Sequence, residues 1–165
     1  MPLMKRLLAL LCTLLTALGI GGCDYFNLKE LKPGVSTAAE VRERFGTPGM
    51  EWQNDDGSVT WEYTRQPQGT ECFMITIGPD RVLRKIEQVL NESTFARIQR
   101  GMSGDEVRRM LGAPASRQRL ELSGETVLNW RTKSQPGGEV TFFSVYFNDD
   151  GRVVRTGNTT EYRGG

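Results

Sequence analysis

The sequence predicts an α+β fold made twice: two tandem units, each a short helix followed by three or so antiparallel strands in a two-layer sandwich. Three observations predict it. Four blocks of residues recur in the same order at an offset of about 66 to 71 positions. Each set opens on a helix-capping signature, and each continues into runs that alternate apolar and polar residues between turn signals.

The repeat is explicit in the residues. Leu31-Lys32-Pro33-Gly34-Val35-Ser36 returns as Ile98-Gln99-Arg100-Gly101-Met102-Ser103, and the stretch Val41 to Pro48 returns as Val107 to Pro114. Trp61 followed by Gln66-Pro67 returns as Trp130 followed by Gln135-Pro136, and Phe73 returns as Phe142. In each copy Thr37 with Glu40, or Ser103 with Glu106, places a hydroxyl and a carboxylate three apart, where both satisfy free amides at a helix start. Val41 and Phe45, or Val107 and Leu111, then lie one turn apart on one face. Gly46 or Gly112 supplies a left-handed closing position, and Pro48 or Pro114 prevents renewal. A helix of about nine residues follows in each unit, too short to persist without packing. A shorter helical turn precedes each, around Tyr25 to Leu31 and Thr94 to Gln99.

The sheets supply that packing. Val59, Trp61 and Tyr63 alternate with polar residues, and Leu128 and Trp130 repeat the pattern. Phe73 to Ile77 turns through Gly78-Pro79-Asp80 into Val82 to Val89, and Val140 to Phe147 turns through Asp150-Gly151 into Arg152 to Thr156. Trp61 and Trp130 read as core aromatics under the helices, whereas Trp52 sits on a short polar strand. Along the strand from Val140 to Phe147 both sides are apolar. Val140, Phe142 and Tyr146 share one side, and Phe143, Val145 and Phe147 the other. One side packs on helices; the other needs the sister unit or a different protein, and the sister unit is the expected cover.

Composition excludes much chemistry. The chain has no histidine, which removes imidazole-based catalysis and leaves a metal only carboxylates. Asp55-Asp56 and Asp149-Asp150 each precede a glycine, the signature of a hairpin turn rather than a calcium loop. Serines occur, but Ser36 and Ser103 are explained by their places at helix starts. No catalytic, cofactor-binding or metal-ligating residue is expected, and the chain is not expected to be an enzyme. Nor does it carry a nucleic-acid footprint: 21 basic and 20 acidic residues leave it near neutral.

The N-terminus has its own logic. Lys5-Arg6 precedes an apolar stretch from Leu7 to Ile20, then Gly21, Gly22 and Cys23. That order is a secretory signal, and its 14 apolar-biased positions, about 21 Å of helix, fall short of a bilayer core of about 30 Å. With cysteine directly after small residues it resembles the bacterial lipoprotein signal. The resemblance implies cleavage between Gly22 and Cys23 and acylation of Cys23, and two or more acyl chains anchor stably. Cys12 then leaves with the signal, so Cys72 has no intramolecular partner and is expected as a small buried hydrophobe on a strand. Residues 1–22 are thus read as signal, 23–30 as lipidated tether, 31–90 and 91–157 as the two units, and 158–165 as a flexible tail.

The pattern from Gly34 to Pro48 and from Gly101 to Pro114, with the aromatic strand and Asp150-Gly151-Arg152-Val153, resembles the SmpA/OmlA (BamE-like) lipoprotein family over about residues 26 to 157. Two such units in one chain are also similar to the tandem fold of the β-lactamase-inhibitory-protein family. The first resemblance implies a noncatalytic lipoprotein on the periplasmic face of the envelope. Its partner would be an envelope protein, in outer-membrane protein assembly or envelope integrity. The alternative is an inhibitor or sensor that binds an enzyme or cell-wall ligand through an open sheet face, with Tyr146 and Trp52 as its contacts. Family resemblance favours the outer membrane, whereas Asp24 resembles an inner-membrane retention signal; both placements stay open. The partner-binding residues are not identified by these motifs, which are structural.

Overall fold

A computed structural model describes residues 28–162. The expected processing and sorting positions Gly22, Cys23 and Asp24, and the start of the first helical turn at Tyr25, lie outside the described residues. Residues 28–30 are helical and lead into the first unit.

Both capped helices form. Helix α1 spans Ala38–Phe45 and α3 spans Gly104–Leu111, eight residues each. The side chains of Thr37 and Ser103 accept from the amides of Glu40 and Glu106, whose carboxylates accept in return from the cap amides at 2.7 Å. These bonds hold the Glu40 and Glu106 carboxyls below their usual range, the backbone amides of Thr37 and Ser103 contributing most. The closing glycines take positive φ as expected, 80° at Gly46 and 75° at Gly112, but ψ of −156° and −171°. They occupy the extended glycine-only region, not the left-handed helical one. A short helix α2, Glu92–Phe95, precedes α3 and starts two residues before the sequence suggests, because Asn91 caps it.

Each unit has four strands, one more than the three expected. Sheet 1 runs β1 (Met50–Gln53), β2 (Val59–Thr64), β3 (Cys72–Ile77) and β4 (Leu83–Gln88); sheet 2 runs β5 (Ser116–Leu120), β6 (Glu125–Ser134), β7 (Glu139–Phe147) and β8 (Val153–Tyr162). Both are antiparallel meanders in sequence order. Strand β1 is the short strand on which the sequence places Trp52, and β5, another short edge strand, is hidden from an apolar pattern by its polar sequence. Strand β8 continues to Tyr162, through residues read as a tail, because it pairs along all of β7.

The repeat holds, but its strand register differs from the sequence alignment. Bulges at Thr76/Ile77 and Tyr146/Phe147 mark equivalent points of the two sheets. They make Phe73 equivalent to Phe143, not Phe142, and Tyr63 equivalent to Trp130, with Leu128 in the place of Trp61. A one-residue slip exchanges faces, so the distinction matters. Hydrogen bonding supports the pairing: the Tyr63 hydroxyl donates to the Gly46 carbonyl, and the Trp130 indole N–H donates to the Gly112 carbonyl, both at 3.0 Å.

Two cores result. In the first, Val41 and Phe45 of α1 pack with Trp61, Tyr63, Phe73 and Ile75. The second spans the units: Cys72 and Met74 of sheet 1 and Val89, just after β4, join Val107 and Leu111 of α3 and Trp130, Phe143 and Val145 of sheet 2. Phe95 of α2 stacks on Phe143 at 4.2 Å between ring centroids. The layers therefore stack in the order α1, sheet 1, α2 with α3, sheet 2. Helix α3 is the filling between two sheets.

Candidate partner-binding face

The layer order decides which surfaces are free. In sheet 1 the face turned from α1 carries Thr60, Glu62 and Thr64 on β2 and Cys72, Met74 and Thr76 on β3. The second unit covers it. Glu62 is fully buried; its carboxylate accepts from the Ala113 amide at 3.0 Å and faces the Arg108 guanidinium at 3.4 Å. A buried carboxylate without such partners would be costly. Gly112 lies over Cys72 so closely that a Cβ there would stand 2.4 Å from the sulfur. Burial pushes the Cys72 thiol up to about 12, with the Glu62 charge adding to it. Cys72 is thus the buried, unpaired strand residue expected.

Trp52 belongs to the same seam. It lies on β1 opposite Thr60, with Arg109 over its ring at 4.7 Å and Arg108 at 5.8 Å. It is not part of an open aromatic face, because the arginines of α3 cover it. Nearby, the Gln66 side chain pairs with the main chain of Arg131. Its amide accepts from the Arg131 N–H at 3.0 Å and donates to the carbonyl at 2.9 Å. Strand β5 pairs with β6 only as far as Asn129, so Gln66 satisfies an edge that would otherwise stand open. Gln135, its sequence counterpart, instead closes its own hairpin onto Glu139.

Contrary to expectation, no described helix or strand of unit 1 packs on the matching face of sheet 2. On β7, Phe143, Val145 and Phe147 enter the shared core, whereas Phe142, Ser144 and Tyr146 turn outward opposite Arg131, Asn129 and Val127 of β6. Sheet 1 lies on the other side of α3, and unit 1 reaches this face only at its Arg131 corner, where the guanidinium donates to the Gln68 carbonyl and lies over Phe142; Phe142 and Ser144 are nonetheless buried. A ladder of hydrogen bonds crosses all four strands of this face. Asn129 donates to Ser116 Oγ at 3.1 Å, Ser144 Oγ donates to Asn129 Oδ1 at 2.7 Å, and Ser144 Oγ and Thr159 Oγ1 share a bond at 2.9 Å.

Beside the ladder, the Arg155 guanidinium lies 3.3 Å from the Tyr146 ring centroid and is held by Glu125 at 2.8 Å. The ion pair lowers the Glu125 pKa and raises that of Arg155. A groove of about 200 Å³ runs here between Gln118, Leu120, Val127, Tyr146, Thr159 and Glu161. It offers a rigid aromatic, hydroxyls and amides on a stiff sheet, groups suited to recognition. Among the described residues no group of three or more ligating side chains could hold a metal. Sequence reasoning found Tyr146 but missed the ladder, which strand pairing alone assembles.

No family model matches the chain, that of SmpA/OmlA included, and no curated protein matches it. Among solved structures it is similar to a DUF4309 family protein from Bacillus subtilis, at 14% identity and a TM-score of 0.32, covering 82% of this chain and 84% of that one. It is also similar to a Streptococcus mutans protein described as a "putative beta-lactamase inhibitor protein", at 12% identity and a TM-score of 0.34, covering 85% and 97%. At these values neither neighbour assigns a family or an activity to the chain.

Proposed function

We propose that this chain is a noncatalytic, lipid-anchored module of the bacterial envelope that binds a protein partner through the outer face of sheet 2, as an inhibitor or sensor. One observation carries the reading: two equivalent sheet faces exist, and the sister unit occupies only that of sheet 1. The remaining face combines Tyr146, Arg155 and the Asn129–Ser144–Thr159 ladder on long strands. The absence of histidine from the sequence supports a binding role over catalysis. Acylation at Cys23 would confine the module to a membrane surface and raise its effective concentration near membrane-bound partners. The assembly role implied by the SmpA/OmlA motifs draws no support from the geometry of either face.

A photocrosslinking residue in place of Gln118, on this face, tests the reading in intact envelopes against the same residue in place of Glu43 on α1. A discrete adduct from position 118 only, reduced by Tyr146→Ala, is expected. No adduct from position 118, or the same adduct from both positions, contradicts it. Labelling with a fatty-acid analogue, lost in Cys23→Ala, tests the anchor. Fractionation of the parent beside Asp24→Ser tests whether Asp24 directs membrane choice.

A further inference from the structure

Unit 2 contains a cavity that unit 1 fills with its own tryptophan. About 420 Å³ of space opens between the first turn of α3 and the β5–β6 edge, bounded by Gly104, Asp105, Arg117, Arg119, Leu128 and Phe147. Strand register places Leu128, opposite Arg117 and Val145, where unit 1 has Trp61, opposite Glu51 and Ile75. Trp61 is only 2% exposed, and Ala38, which opens α1 as Gly104 opens α3, is 1% exposed. In unit 2 both are smaller, and a Cβ built on Gly104 would meet no atom within 4 Å. Phe147 in place of Ile77 refills only part of the loss.

The rim differs in charge. In unit 1 Arg42 lies 4.5 Å over the Trp61 ring and is neutralised by Glu51 at 2.6 Å. In unit 2 the counterpart of Arg42, Arg108, is drawn away to Glu62, and the counterpart of Glu51 is Arg117. Arg119 is paired with Asp149 at 2.7 Å, whereas Arg117 has no carboxylate partner among the described residues. The slot is thus shaped by the fold for an aromatic side chain and rimmed by Arg117, which makes no ion pair among the described residues, with Asp105 also on the rim. At the start of α3 the Ser103–Glu106 cap satisfies the Ser103 and Glu106 amides.

We propose that this cavity takes an aromatic side chain, indole foremost, from a protein partner, with an adjoining acidic residue of that partner on Arg117. Its volume lies within the range of cavities that hold ligands, roughly 300–1,000 Å³. The site lies on the helix side of sheet 2, so it stands or falls independently of the outer face.

The test uses capped dipeptides and amide chemical shifts of the ¹⁵N-labelled protein. Tryptophanyl-glutamate is expected to shift the amides of Gly104, Thr126 and Leu128 saturably, and tryptophanyl-lysine to bind at least several-fold more weakly. Leu128→Trp, which fills the slot from within, is expected to abolish binding with thermal stability kept or raised. Arg117→Gln, an exposed change, is expected to weaken binding three- to ten-fold, and Gln118→Ala on the opposite face to leave it unchanged. Absence of saturable shifts at these three amides, equal binding of the lysine dipeptide, or undiminished binding by Arg117→Gln overturns the proposal.

Discussion

The two units share a backbone plan, yet the same face of their sheets meets opposite ends. In sheet 1 the face turned from α1 is closed by α3, Gly112 and Arg108. In sheet 2 no described helix or strand of unit 1 covers the equivalent face, where Val127, Phe142 and Ser144 are buried while Tyr146 is half-buried and Gln118 exposed. Residue chemistry follows that fate position by position. Register makes Glu62 of β2 equivalent to Asn129 of β6, and Met74 of β3 equivalent to Ser144 of β7. The covered pair consists of a carboxylate locked to Ala113 and an apolar side chain in the shared core. The pair in sheet 2 instead forms a neutral hydroxyl–amide bond, with Ser144 buried and Asn129 partly exposed. Duplication supplies two equal faces, and stacking consumes one of them.

Paired substitutions break or sharpen this comparison. The largest difference is expected at the closing glycines. Gly112→Ala adds a clash with Cys72 to backbone strain and should cost about 3 kcal/mol or more. Gly46→Ala, where nothing lies within 4 Å of the added Cβ, should cost about 1–2 kcal/mol from strain alone. Denaturant unfolding of both variants measures the gap, and equal losses would remove the seam from the account.

Next come the equivalent polar residues. Glu62→Ala strands the Ala113 amide and Arg108 and should cost about 2–3 kcal/mol, against about 1 kcal/mol or less for Asn129→Ala. Smaller again is the pair of glutamines. Gln66→Ala exposes the β6 edge and should cost about 1 kcal/mol, whereas Gln135→Ala should stay within about 0.5 kcal/mol. Thermal melts ordered otherwise would mean that Gln66 does not join the units.

The capping boxes provide the case in which the units should not differ. Glu40 and Glu106 have lowered folded-state pKa values, so their contribution is present above the ordinary value of 4.5 and is lost as pH falls through the folded values. Stability should therefore decline on acidification below about 4.5. Glu40→Gln and Glu106→Gln should each flatten that decline by a similar small amount, seen as Tm against pH.

Local chemistry was legible in the sequence; register and stacking were not. Thr37 with Glu40 and Ser103 with Glu106 specify their helix starts within four residues, and Gly46 and Gly112 specify the ends, so both helices could be read directly. The strands could be seen but not aligned, because β6 is longer than β2 and bulges shift both sheets. Phe73 was thereby matched to Phe142, which faces the opposite way from its true counterpart Phe143. Glu62 reads as an ordinary solvent-facing residue in an alternating strand. The signals that could have exposed the seam are Cys72 and Met74 on the same face and the small pair Gly112-Ala113 after α3. For the same reason Trp52 looked like a ligand contact and proved to lie beneath Arg109.

The second unit closes one face of sheet 1, whereas unit 1 leaves the Gln118 side of the equivalent face of sheet 2 accessible, and thiol accessibility tests this most directly. In protein lacking residues 1–23, Cys72 on the covered face is compared with a cysteine at Gln118 on the outer face, using a maleimide reagent at pH 8. Cys72 is fully buried with its thiol held up to about 12, and Gln118 is exposed. The expected result is immediate labelling at position 118 and labelling of Cys72 only when the protein unfolds. Native-state labelling of Cys72 at a rate close to that of position 118 would contradict the account.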